Sequence, residues 1–268
     1  MTTTIDASAA APNPASPVAE QPWPSARYAW FVVFLLVLAF TSSFIDRQIV
    51  SLLVGPIRAD LNITDTQFSL LVGLAFSLFY SFVGLPIAYA ADRMSRRWII
   101  AIGVFAWSVM TCMCGLASNF WQLFLARMGV GVGEATLTPS ASSLISDYFP
   151  KHRRGIAMAV YATGVYWGSG LALMIGGMVV RLVENSPALV LPLVGELRPW
   201  QTVFFIVGLP GILLAGLMLL IKEPIRRGLA AAASEPAAAA PAPGARQAPK
   251  LTPVLPFLRD NMLAVASI

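Results

Sequence analysis

The sequence predicts an all-α membrane protein with six spanning helices, and three observations carry that reading. Hydrophobic residues fill 57% of the 268 positions and charged residues only 12%, against roughly 25% charged in an average soluble domain. The apolar residues fall in blocks of about 20, the length that crosses a ~30 Å hydrocarbon core. The basic residues sit in short clusters between these blocks, as membrane topology requires. That placement turns the net charge of +5 away from nucleic acid, the partner a basic chain would otherwise suggest.

Residues 1–27 are rich in Ala, Pro, Ser and Thr, with no basic residue before Arg27. Without a positive flank before an apolar core this is no signal peptide, and it reads as a disordered cytoplasmic tail. The apolar blocks then run 28–55, 67–91, 98–117, 120–146, 155–180 and 200–221, inside a domain of residues 28–222. Pro56 and the polar run Arg58 to Thr66 end the first block. Asp92 to Arg97 ends the second, Ser118-Asn119 the third and Asp147 to Arg154 the fourth. A longer loop, 181–199, precedes the sixth. Residues 223–250 form an Ala/Pro-rich cytoplasmic linker. Residues 251–268 begin a new, weakly amphipathic segment, the expected start of a second half that this chain leaves incomplete.

With the N-terminus inside, 13 of the 18 Lys and Arg residues fall on cytoplasmic segments. The alternation holds through six spans and predicts a multi-pass protein of the inner cell membrane with a cytoplasmic N-terminus. Trp23, Trp30, Trp98, Trp121, Tyr148 and Trp200 fall near the expected interfaces, where amphipathic rings belong.

Four charges sit where charge is expensive. Asp46 and Arg47 lie deep in the first span; Arg127 and Glu134 lie in the fourth, seven residues apart and so on one helical face. At roughly 2.5–3.5 kcal/mol each near the bilayer centre, they must face the bundle interior, pair, or line a wet cavity. Two acids and two bases allow pairing at zero net charge. An ion-pair network that only fixes helix packing is one reading, although buried pairs are a poor source of stability. The other is a proton carrier beside an anion-binding arginine, since desolvation favours the neutral form of a carboxyl. On that reading Glu134 is the carrier and Asp46 its partner or alternate, and protonation of Glu134 releases Arg127. Arg127 and Arg47 then switch between these acids and an acidic group on a substrate.

The turn Asp92-Arg93-Met94-Ser95-Arg96-Arg97 is a second cluster. It resembles the loop signature of the major facilitator superfamily, Gly-x-Leu-Ala-Asp-Arg-x-Gly-Arg-Arg. Ala91, Asp92, Arg93, Arg96 and Arg97 match that signature; Ala88 and Ser95 replace its glycines and Ala90 its leucine. Within the superfamily the chain is similar to the spinster-like transporters. The stretches that carry this likeness are Phe44-Ile-Asp-Arg-Gln48, Leu125-Ala-Arg-Met-Gly-Val-Gly-Val-Gly-Glu-Ala135 and Asp147-Tyr-Phe-Pro150, within about residues 28–228. The resemblance implies the N-terminal domain of a twelve-helix secondary transporter, built as two inverted three-helix repeats. It implies further that Asp92, Arg93, Arg96 and Arg97 latch the two halves, and that the solute is amphipathic or anionic and lysolipid-like. The partners it implies are that small molecule, protons, the lipid bilayer and the missing C-terminal half. A half-size homodimer or a non-transporting regulator is the alternative.

Gly129 and Gly133 form a close-packing step in the fourth span, and Gly164 and Gly168 another in the fifth, followed by Gly170, Gly176 and Gly177. Pro86, Pro139 and Pro210 predict kinks. Tyr161, Tyr166 and Trp167 are read as an aromatic cluster of the fifth span, either core packing or a substrate-facing wall. His152, beside Lys151 and Arg153, reads as part of a solvated basic loop. Cys112 and Cys114 lie two apart on a helix, point to different faces and read as fillers. One histidine and no Gly-x-Ser-x-Gly argue against an enzyme, a metal centre or a resident cofactor.

Overall fold

The computed structural model describes residues 22–185, 189–191 and 195–226. The 1–21 part of the tail, the linker beyond Arg226 and the segment 251–268 lie outside the described residues. One compact unit reaches Ile225 and holds every described helix.

Ten α-helices are described: α1 Ala26–Leu52, α2 Val54–Leu61, α3 Asp65–Ser69, α4 Ala75–Ala91, α5 Arg96–Cys114, α6 Phe120–Glu134, α7 Leu137–Tyr148, α8 Lys151–Ala162, α9 Gly164–Asn185 and α10 Pro199–Met218. A π-helical turn, Leu70–Leu74, joins α3 to α4. Such a turn holds an extra residue and resets the phase of the helix beyond it. In this chain that helix is α4, which carries Phe76 and Tyr80. Within the expected 181–199 loop, a small antiparallel hairpin pairs Leu189–Leu191 (β1) with Gly195–Leu197 (β2).

Local signals set the boundaries. Asn62 takes the left-handed conformation (φ 51°) and ends α2. Thr64 and Gln67 cap α3 reciprocally, each side chain bonding the other residue's backbone N–H. Asn119 Oδ1 accepts from Gln122 N at 3.0 Å and starts α6.

Among the described residues, five helical runs are long and apolar enough to cross a membrane: Ala26–Leu52, Asp65–Ala91, Arg96–Cys114, Lys151–Met178 and Pro199–Met218. The expected fourth block is divided instead into α6 and α7, of 15 and 12 residues. Pro139 explains the division. It has no N–H for the carbonyl of Ala135, four residues back, and its ring crowds that carbonyl. The helix therefore opens at Ala135–Thr136, where Thr136 Oγ1 donates to Gly133 O at 2.8 Å. Helices α4 and α10 run on through Pro86 and Pro210, as spanning helices tolerate.

The bundle is organised around α1 and α5. Helix α1 packs along α9, and α5 lies between α6 and α10, with α4 against α6. Two glycines make these approaches possible. A Cβ at Gly133 would lie 2.7 Å from Trp107 N on α5, and one at Gly168 2.7 Å from Thr41 O on α1. Small residues at such crossings let backbones meet. A Cβ at Gly170 or Gly177 would meet nothing within 4 Å from other parts of the bundle, so the fifth-span glycines do not act as one stripe. Cys112 and Cys114 are both free.

Of the expected interface aromatics, Trp23, Trp30, Trp98 and Trp121 are exposed. Tyr148 and Trp200 are buried instead. Trp200 Nε1 donates to Asp60 Oδ2 at 2.7 Å, and Tyr148 OH donates to Lys222 O. Each uses its polar atom to tie helix ends together, so the ring is drawn inward.

Candidate functional site

Helix α1 presents Ser43 and Arg47 one turn apart, and α6 brings Glu134 to them. Glu134 Oε2 accepts from Ser43 Oγ at 2.7 Å and from Arg47 Nε at 2.7 Å. The Glu134 side chain is 0% exposed and that of Arg47 28%. Three rings hold the arginine: its guanidinium lies 5.1 Å from the Phe44 ring centre, 4.6 Å from Phe76 and 5.0 Å from Tyr80. Aromatic faces attract a desolvated cation, so Arg47 has a second support besides the carboxylate.

Arg127 is buried on the same face of α6 as Glu134 but does not pair with it. It donates to the backbone carbonyl of Asp46 at 3.4 Å and lies 5.7 Å from the Phe76 ring centre. The sequence reading has Glu134 holding Arg127, and the structure corrects it. Seven residues along one helix separate two side chains by about 10 Å of rise, whereas Arg47 approaches from across the α1–α6 interface. Asp46 is 1% exposed, and neither of its carboxyl oxygens has a hydrogen-bond partner among the described residues. Glu134 Oε1, Arg127 Nε and Thr111 Oγ1 are likewise unpartnered there. Both arginines lie against Phe76, and among the described residues the hydrogen-bonding capacity of the four charges is only partly used.

At the other cluster the demand is met. Arg96, 1% exposed, donates from Nη1 to Ser143 Oγ at 2.8 Å and to Asp147 Oδ2 at 2.5 Å. Its Nε donates to Glu223 Oε1 at 2.8 Å, and its Nη2 reaches Pro224 O at 3.3 Å. Glu223 Oε2 accepts from Ser95 Oγ at 2.9 Å and from Arg97 N at 3.0 Å. Partial burial pushes the Glu223 carboxyl up, but the bonds from Arg96, Arg97 N–H and Ser95 outweigh this and hold it below its ordinary range. Arg93 stacks on Tyr89, 4.0 Å from the ring centre. Asp92 is exposed. Of the four expected latch residues, Arg96 and Arg97 therefore join one network, while Arg93 and Asp92 lie outside it. Sequence reasoning missed Asp147, Ser143 and Glu223. The last stands just past the expected domain end, beside Lys222, where it reads as linker.

The aromatic trio is not one cluster. Tyr161 is buried and stacked on Phe40 with ring centres 4.6 Å apart. Tyr166 and Trp167 are 79% and 61% exposed. Five and six residues on, at about 100° each, their side chains leave the face that Tyr161 buries.

The model of the Major Facilitator Superfamily matches residues 35–268. The chain belongs to this superfamily. A bacterial homolog of the human lysosomal transporter spinster, solved in an inward-facing and occupied conformation, superposes with a TM-score of 0.70 at 38% identity; the match covers 76% of this chain and 46% of that one. An MFS-type efflux pump of Mycolicibacterium smegmatis is 32% identical over 77% of this chain and 44% of its own length. A probable L-galactonate transporter of Escherichia coli K12 is 31% identical over 68% and 37%. The chain thus spans less than half the length of these relatives. The spinster-like likeness read from the sequence holds. As a member of a superfamily of membrane transporters, this multi-pass, almost wholly helical chain is no enzyme.

Proposed function

We propose that the full-length protein is a proton-coupled secondary transporter of an amphipathic or anionic organic solute, such as a lysolipid-like molecule. This chain is its N-terminal half, set in the inner cell membrane with a cytoplasmic N-terminus. The observation that carries the proposal is the Ser43–Glu134–Arg47 contact: a fully buried carboxylate neutralises an arginine that is itself partly open. When Glu134 takes a proton, the charge that holds Arg47 disappears, and the acid can donate to Ser43 Oγ. The guanidinium stays on the Phe44, Phe76 and Tyr80 rings with its N–H groups released for a carboxylate or phosphate of the solute. Asp46, beside Arg127, is the alternate proton site. Rocking of this half against its partner gives alternating access, with the turn of Asp92, Arg93, Arg96 and Arg97 latching the halves from the base that Arg96 anchors on Asp147 and Glu223.

Relatives with an efflux-pump name, a sugar-acid name and a spinster name all support an organic solute. The test is Glu134→Gln in the reconstituted full-length protein, with labelled galactonate and a fluorescent lysophospholipid as probe solutes. Gradient-driven uptake should vanish while exchange without a gradient persists. Gradient-driven transport at wild-type rates by the variant would sink the mechanism.

A further inference from the structure

A second, separate recess lies at the end of the bundle where α1 begins and α7 hands over to α8. It encloses about 300 Å³ and is lined by Trp23, Trp30, Tyr148, Phe149, His152 and Arg153 together with small residues of α1. Trp30 and Phe149 meet edge to face at 5.2 Å and form one wall. Its size is that of a small ligand pocket, and among the described residues no acidic side chain lines it.

Several basic residues at this end are already engaged. Arg96 is consumed by Asp147 and Glu223, Arg93 lies on Tyr89, Arg97 reaches Ile221 O, and Arg154 donates to Ser146 O at 2.7 Å. His152 and Arg153, the two that face the recess, are exposed, and their side chains make no hydrogen bond or ion pair among the described residues. Below the recess the chain turns apolar along the membrane-crossing runs. Ile156 and Val160 follow His152 at intervals of four on α8 and are exposed, and Phe34 follows Trp30 on α1 in the same way.

We propose that this recess binds the headgroup of an anionic phospholipid, with its phosphate on Arg153 and His152 and its acyl chains along the Ile156–Val160 and Trp30–Phe34 stripes. Three features select this ligand. Donors that are unpaired among the described residues, with no described acid lining the recess, call for an anion. Indole and phenol rings suit the depth of lipid headgroups. The apolar stripes give a lipid, and not a soluble phosphate, a place for its chains. Basic recesses between spanning helices hold acidic headgroups for these reasons.

The test is native mass spectrometry of the full-length protein titrated with dioleoylphosphatidylglycerol or dioleoylphosphatidylcholine. The wild type should retain phosphatidylglycerol with a preference of roughly fivefold or more, as expected per basic side chain at a charged surface. His152→Ala with Arg153→Ala should abolish that preference. Arg27→Ala with Lys151→Ala removes charge from the same end but outside the recess, and should keep it. Three results would overturn the proposal: no preference in the wild type, equal losses in both double variants, or full displacement of the lipid by millimolar inorganic phosphate. Both pairs are exposed side chains, so failure to fold does not cloud the comparison.

Discussion

Two charge clusters tie this bundle together, and they differ in how completely they are satisfied. Around Arg96, three donor nitrogens serve two carboxylates, a hydroxyl and a carbonyl. Around Phe76, Arg47 makes one bond to Glu134, Arg127 makes one long bond to a carbonyl, and Asp46 uses neither oxygen. A saturated network has one arrangement and fixes helices in place. An under-satisfied one in a low-dielectric setting leaves its members to exchange partners, protons or solute at small cost. The first cluster has the character of a clamp; the proposed function makes the second the working site.

The most direct way to break this contrast is Arg96→Ala, which strands Asp147 and Glu223. Loss of one partner from a buried pair costs about 3–5 kcal/mol, and thermal unfolding in detergent should show a loss of that order. A loss below about 1 kcal/mol would mean that the cluster is no clamp.

Asp46→Asn and Glu134→Gln sharpen the other side. Among the described residues the Asp46 carboxyl makes no bond to an arginine side chain, so its variant should cost clearly less than Arg96→Ala. Glu134→Gln takes the charge from both bonds that Oε2 accepts, each worth about 1.5–3 kcal/mol when charge-assisted. If Asp46→Asn destabilised as much as Arg96→Ala, the working-site reading would fail.

The smallest effect is a pH dependence. Glu223 is held below its ordinary range, so the stability it lends is present above that range and is lost as pH falls through its folded value. Unfolding temperature should drop on acidification in the wild type, and drop less in Glu223→Gln. Identical acid profiles would remove Glu223 from the clamp.

The charges of the working site were legible in the sequence because a charged residue inside an apolar block is costly enough to announce itself. Their pairing was not. Arg127 and Glu134 share a face, yet two turns of rise keep them apart, and the register of α1 against α6 is what delivers Arg47. Ser43 gave no signal, since a serine in a spanning helix is commonplace. The clamp was half visible: Arg96 and Arg97 stood out in a short turn, whereas Asp147 and Glu223 looked like solvated ends of other spans. Tyr161, Tyr166 and Trp167 are not one cluster for the opposite reason, because neighbours in sequence diverge around a helix.

Hydrophobic block length, the cost of buried charge and the sites of glycine and proline are local properties. The sequence alone therefore determined that this is a helical membrane chain, where five of its six apolar blocks form long helices, and which four charges had to face inward. Partner choice is a property of distances between elements. Only the tertiary structure could decide that Glu134 holds Arg47, that Arg96 gathers Asp147 and Glu223 from two other segments, and that the fourth apolar block opens near Pro139, beside the buried acid.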